Sequence, residues 1–225
     1  MHSLVLRLVS PIVFLVPGHG ARKFFAFARA EHGSMLDLRL AAARTTSPSR
    51  GARYLRHALD EARHTQMFAA RSAELRRERG LLTLGVPIAD TEHLFETLGE
   101  LRFLAFVHRG EQRGRGQFEV YRRLFAGRGD AKTRAMFDAI IDDEKVHESY
   151  TRALLVELAG SERAARRELA KAAAWEAWRT WRRLGRFLAQ GAYRLAMLVV
   201  YVAVAPLSLV VRLARPERRG WVEKA

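Results

Sequence analysis

Asp60-Glu61-Ala62-Arg63-His64 and Asp143-Glu144-Lys145-Val146-His147 are two copies of one pattern, a glutamate followed three residues later by a histidine. On a helix that spacing puts both side chains on one face, a turn apart, where they can share an ion. A single Glu-x-x-His arises by chance in a chain of 225 residues. Two copies, each preceded by Asp and each following a helical stretch with its own buried-looking glutamate, constrain the chain far more. Those glutamates are Glu31 and Glu111. Read in order, the set is Glu31, Glu61, His64, Glu111, Glu144 and His147. It requires four helices brought together, two giving one glutamate each and two giving Glu-x-x-His.

Register along the helices is an independent check. The first bundle helix is predicted from about Ala21 to Arg44, with Thr45–Ser49 as the loop and the second helix from near Gly51 to about Arg79. Glu31 then lies about 13 residues before the first hairpin turn and Glu61 about 10 after it, nearly the same height. Glu111 and Glu144 repeat the relation around Gly127-Arg128-Gly129, with Asp130 as a helix N-cap. The connection between the hairpins must cross the length of the bundle. Ten residues from Gly80 to Ala89 reach only about 34 Å fully extended. A separate short helix is therefore predicted over Asp90–Leu98, broken by Gly99, with the third bundle helix starting near Glu100.

With 49% hydrophobic residues, many of them Ala and Leu, and few alternating β-branched runs, the composition favours an all-α protein. The absence of cysteine excludes disulfides, zinc–thiolate sites, iron–sulfur clusters and a fused rubredoxin-like module. A formal charge of +15 calls for an anionic partner. Residues 161–225 carry 14 Lys/Arg against 5 Asp/Glu, or +9. Ser161 reads as the N-cap of a fifth helix reaching Arg186, with Trp175, Trp178 and Trp181 among arginines. Leu195–Val211 follows, 17 residues without a charge but with Pro206 inside. Tryptophan and arginine beside such a run favour an anionic membrane surface over nucleic acid. Leu4–Val16 is apolar and interrupted by Pro11. It ends on a poor cleavage site and reads as a retained arm. Three regions result: an arm over 1–19, the bundle over 20–160, and a basic, membrane-associating tail over 161–225.

Carboxylate oxygen suits iron and manganese and can bridge two ions while balancing their charge; neutral imidazole adds a directional nitrogen. The competing reading is a solvated helix face. Against it, Phe24, Phe27 and Met35 surround Glu31 at helical spacing, and Phe137, Ile140 and Ile141 precede Glu144. Buried carboxylates are costly unless paired or metal-bound. Asp60 is expected to support His147, and Asp143 to support His64, across the helix pair, since a ligating imidazole usually donates its other N–H to a carboxylate. His57, one turn before Glu61, is a third imidazole or proton donor on one reading and a packed core residue on the other; His108, three before Glu111, has the same two readings. Tyr54 and Tyr150 are placed toward the site. Gly114 occupies the position that histidine fills in the other two motifs. Together with Gly110 and Gly116 it marks open space for dioxygen or substrate, a kink, or a close helix crossing.

With these residues placed, the chain resembles the ferritin-like di-iron carboxylate superfamily over roughly residues 20–160, whose pattern is one glutamate from each of two helices and Glu-x-x-His from each of the others. The resemblance implies a ferritin-like four-helix bundle, two hairpins joined by a long crossover. It also implies two iron ions, or manganese–iron or two manganese, on Glu31, Glu61, His64, Glu111, Glu144 and His147. Dioxygen is then a co-substrate and electrons come from an external reductase. In compactness and in its basic, apolar flanks the chain is similar to demethoxyubiquinone-hydroxylase-like and rubrerythrin-like proteins. The implied activity is that of a membrane-associated oxidase or hydroxylase acting on a lipid- or quinone-like substrate at the cytoplasmic face. Three alternatives stay open: a tRNA-modifying hydroxylase, a peroxide scavenger and a non-catalytic iron-binding protein. A homodimer also stays open.

Overall fold

The computed structural model describes residues 10–214, and these are helical with no strand among them. After a helical turn at residues 10–13 come α1 (His19–Arg44), α2 (Pro48–Arg77), α3 (Leu94–Leu98), α4 (Glu100–Gly127), α5 (Ala131–Ala159) and α6 (Glu162–Ala214). Local chemistry sets the boundaries. Ser47 caps α2 by accepting from Arg50 N–H at 3.4 Å, and Pro48 takes the first helical position, where no N–H is needed. Asp130 caps α5 through Thr133 N–H at 2.9 Å. Gly160, at φ 75°, ends α5 in the left-handed conformation that side chains resist. Ser161 Oγ accepts from Ala164 N–H at 3.2 Å and starts α6.

α1 packs along α2 and α4 along α5, and α2 also meets α5. This is the ferritin-like arrangement of two hairpins. One end of the bundle is filled with rings. Phe24, Phe68 and Phe137 are fully buried among Phe27, Phe118, Tyr121 and Phe125, with most ring centroids 5–6 Å apart. Such tilted and edge contacts add to area burial. Phe14 from the arm joins this cluster and packs on Tyr121 and Phe125, so the described part of the arm lies on the bundle. Residues 1–9 of the arm and residues 215–225 of the expected tail lie outside the described residues. The other end holds Leu38, Tyr54, Phe103, Leu104, Leu154 and Leu155.

Each end also has a polar clasp. Glu100, first residue of α4, accepts from Arg50 at 2.8 and 3.1 Å, from Thr45 at 2.7 Å and from Tyr54 at 3.1 Å. Tyr54 therefore faces this clasp and not the cluster of glutamates. At the opposite end nearly buried Arg71 reaches Asp130 at 2.8 Å, Thr133 at 2.7 Å and Glu74 at 3.0 Å.

The crossover departs from expectation. No helix spans Asp90–His93; α3 begins at Leu94 and has five residues. The chain instead crosses in extended form along α1. Ile88 C=O accepts from Arg29, Ala89 N–H donates to His32 Nδ1 at 3.1 Å, and Thr91 donates to Asp37 at 2.6 Å. These bonds satisfy groups that a helix would have paired internally. Extension over Gly80–His93 also gives about 46 Å of reach, enough for a bundle of this length.

A second departure concerns α6. It does not stop at Arg186 but runs 53 residues, with Pro206 inside it. Its first turns belong to the compact unit, which extends through Ala173 and buries Ala165 and Ala172. The bundle thus continues past residue 160. The second unit, from Ala174 onward, is long and apolar enough to cross a membrane by composition: the best window of the helix has mean hydropathy 1.6 and none of it is buried. Trp178, Trp181, Phe187, Leu195, Leu198 and Tyr201 are exposed on it. Arg179 lies over the Trp175 ring at 4.7 Å.

Phe137 touches rings from α1, α2 and α4. Phe137→Ala is expected to destabilise the metal-free protein by about 3–5 kcal/mol, read by urea denaturation followed by circular dichroism. A loss below about 1 kcal/mol would mean that the ring cluster is not tightly packed.

Candidate metal centre

Midway along the bundle the four helices bring Glu31 (α1), Glu61 and His64 (α2), Glu111 (α4), and Glu144 and His147 (α5) together. Glu61, His64, Glu111, Glu144 and His147 are all buried. Glu31 is half-buried, and a carboxyl oxygen of it lies within 4.8 Å of ligand atoms of Glu61 and His64. His64 Nδ1 lies 3.9 Å from Glu61 Oε2 and 3.6 Å from Glu144 Oε1. His147 Nδ1 lies 3.6 Å from Glu61 Oε1 and 3.9 Å from Glu111 Oε2.

Two ligand groups result, one of Glu31, Glu61 and His64 and another of His57, Glu61, Glu111 and His147, each with its ligand atoms within 4.8 Å of one another. Glu61 belongs to both. Ligands about 2.1 Å from an ion stand about 3.0–3.4 Å apart at tetrahedral or right angles, so the contacts are of the right order. The decisive atoms are three buried ones without a hydrogen-bond partner: His64 Nδ1, His147 Nδ1 and Glu61 Oε2. Buried polar atoms are rarely left unpaired, and here all three converge. Four carboxylates also match the charge of two divalent ions. The residues fit a dinuclear centre.

The outer nitrogens are held as the spacing predicted. His64 Nε2 is 3.0 Å from Asp143 Oδ2, and His147 Nε2 is 3.3 Å from Asp60 Oδ2. Each histidine of one hairpin is thus oriented by an aspartate of the other. Arg63 was not anticipated. Its Nη2 donates to Asp60 at 2.9 Å and to Asp143 at 2.7 Å, fixing both aspartates with one cation. Its place inside the motif, where the other copy has Val146, was the only signal. Burial raises Asp143, but hydrogen bonds from His64 and Arg63 outweigh it and hold the carboxyl below its usual range.

His57 lies inside the centre. Its Nε2 is 2.9 Å from Glu61 and 3.4 Å from Glu111, its Nδ1 is 2.5 Å from Tyr150 Oη, and its ring stacks on His147 with centroids 3.7 Å apart. His108 points elsewhere. Its Nδ1 is 3.0 Å from Thr151 Oγ1, whose hydroxyl donates to His147 C=O, and it lines an open polar recess of about 650 Å³ with Gln112, Arg115, Lys145 and Glu148. Among the three glycines, a Cβ at 110 or 116 would meet nothing within 4 Å and one at 114 only the edge of Phe118 at 3.7 Å. α4 runs through all three, so they do not mark a close helix crossing.

Burial pushes the carboxyl of Glu61 well above its usual range, aided by the charges of Glu31, Glu111 and Glu144. Burial does the same to Glu144, aided by Glu111, and raises Glu31. It lowers His57 to about 3 and His147 to about 4, keeping both neutral near pH 7.

Fold and site together define a ferritin-like di-iron carboxylate protein. The family model for Rubrerythrin matches residues 42–155, just over half the chain. The chain belongs to the rubrerythrin family, whose members bind iron and are typically redox enzymes. The match begins in the last turn of α1 and ends within α5, so Glu31 and the apolar helix lie outside it. No curated protein and no solved structure matches the chain.

In the metal-free protein the raised carboxyl groups favour folding most below pH 4.5 and lose that contribution as pH rises through their folded values. The depressed histidines work oppositely: their contribution is full above pH 6.5 and is lost as pH falls toward about 4 and 3. Divalent ions must displace the carboxyl protons. Binding is therefore expected to tighten with rising pH and to release protons, measured by calorimetry in buffers of different ionisation enthalpy. Asp143→Asn, which takes away the carboxylate that orients His64, is expected to weaken binding about 10–100-fold.

Proposed function

We propose that this protein is a membrane-anchored di-iron oxidoreductase. It uses dioxygen to oxidise a lipid- or quinone-like substrate, with electrons from an external reductase at the cytoplasmic face. The observation that carries the reading is that His64 Nδ1, His147 Nδ1 and Glu61 Oε2 are buried and unpaired within two adjoining groups of ligand atoms that share Glu61. When bound, an iron pair supplies redox chemistry on dioxygen or peroxide. The chain's own residues provide the rest. Glu61 spans both positions, and Glu31, Glu111 and Glu144 complete the charge balance. Asp60, Asp143 and Arg63 fix both imidazoles so that their Nδ1 lone pairs face inward. Ring packing on one side and aliphatic packing on the other keep bulk water from the glutamates, which strengthens every charge interaction there.

The membrane part of the reading rests on composition. An uncharged 17-residue run bounded by Arg194 and Arg212, with exposed tryptophans and arginines before it, suits an anionic bilayer. It would hold the bundle where lipid-soluble substrates are concentrated. Peroxide reduction is the second reading, favoured by the match to the rubrerythrin family.

The test is protein purified in detergent, loaded anaerobically with ferrous iron and supplied with a chemical reductant. The expected result is about two irons per chain, lost in Glu61→Ala/Glu144→Ala, and dioxygen uptake stimulated by a short-chain quinol or lipid extract. Peroxide consumption without any organic co-substrate would establish the second reading. Salt-sensitive RNA binding by detergent-free protein would overturn both.

A further inference from the structure

We infer that His57 is a third nitrogen ligand, which makes the two metal positions chemically unequal. The inference rests on the dinuclear reading and deepens it. One position has Glu31, Glu61 and His64, with Glu144 3.6 Å from the imidazole; the other has His57, His147, Glu61 and Glu111. The first is carboxylate-rich with one imidazole, the second has two.

A packed core histidine needs one partner for each ring nitrogen. His57 Nε2 instead faces two carboxylates from different helices, Glu61 at 2.9 Å and Glu111 at 3.4 Å. His147 Nδ1 faces the same two, at 3.6 and 3.9 Å. Two nitrogens and two carboxylates thus surround one point. His57 also has what ligating histidines require, an outer partner for the remote nitrogen: Tyr150 Oη at 2.5 Å from Nδ1. Nε2 lies within hydrogen-bond distance of Glu61 and Nδ1 within that of Tyr150 Oη. With metal, Nε2 must offer its lone pair, so the proton sits on Nδ1 and is donated to Tyr150 Oη. The stacking of His57 on His147 suits two imidazoles bound side by side to one ion. His57 reaches inward through Nε2, whereas the two motif histidines do so through Nδ1, and its position one turn ahead of Glu61 lies outside the repeated pattern.

Two imidazoles favour ions later in the divalent series, whereas carboxylates suit manganese. Mixed loading then has a direction, with cobalt or iron at the His57 position and manganese at the Glu31 position.

The test is Co(II) titration of the metal-free, detergent-solubilised protein, followed by visible absorption, for wild type, His57→Phe and Tyr150→Phe. Wild type is expected to bind in two resolved steps. His57→Phe should weaken the tighter step by more than the roughly 10–100-fold typical of losing an outer partner and leave the weaker step in place. Tyr150→Phe should weaken the tighter step only within that range. A measurement on wild type alone covers a His57→Phe protein that does not fold: with one equivalent of Cu(II), electron spin-echo modulation should report two coupled imidazoles. Two equal Co(II) steps untouched by His57→Phe, or a single coupled imidazole, would overturn the inference and leave the dinuclear centre standing. No Co(II) binding by wild type would overturn the centre itself.

Discussion

Four glutamate carboxyls in the middle of an otherwise apolar bundle are the constraint on which the rest of this structure depends. As anions in a low-dielectric interior they would repel one another at a cost no local packing offsets. Burial and their neighbours' charges push Glu31, Glu61 and Glu144 toward the neutral form, and cations held among them would offset the same repulsion. His64 and His147 each contribute an unpaired nitrogen on the side of the glutamates. The aspartates and Arg63 then hold the imidazoles from outside, so the inner geometry does not depend on the ion to organise it.

Much of this was legible in the sequence because the repeated motif over-determines its own geometry. Asp-Glu-x-x-His fixes which residues share a helix face, and the equal heights of Glu31 with Glu61 and of Glu111 with Glu144 follow from counting. The cross-support of His147 by Asp60 and of His64 by Asp143 follows from antiparallel packing of α2 on α5. What the sequence concealed were interactions without periodicity. The crossover is set by single hydrogen bonds to Arg29, His32 and Asp37, so hydrophobic pattern carries no trace of it. Arg63 reads as an ordinary surface cation until two helices place both aspartates within its reach. The two roles open for His57 differ only in which carboxylates its ring meets, and that is a tertiary fact.

The rubrerythrin match covers α2 to most of α5 and omits all but the last turn of α1. Glu31, one of the four carboxylates, therefore comes from a segment outside the match. α1 is nonetheless bound in on three sides: along α2, through the aromatic end at Phe24 and Phe27, and beneath the crossover. The side chains that tie it down also bring Glu31 to the height of Glu61.

The two polar clasps at the bundle ends bear on the order in which the protein is assembled. Glu100 with Arg50, Thr45 and Tyr54 at one end, and Arg71 with Asp130, Thr133 and Glu74 at the other, are complete without any ion. The ring cluster is likewise indifferent to metal. A nascent chain can therefore close both ends of its bundle before any cation enters its centre. Loading is then carried out on a finished scaffold. Metal supply then sets the fraction of chains that are loaded and not the fraction that fold.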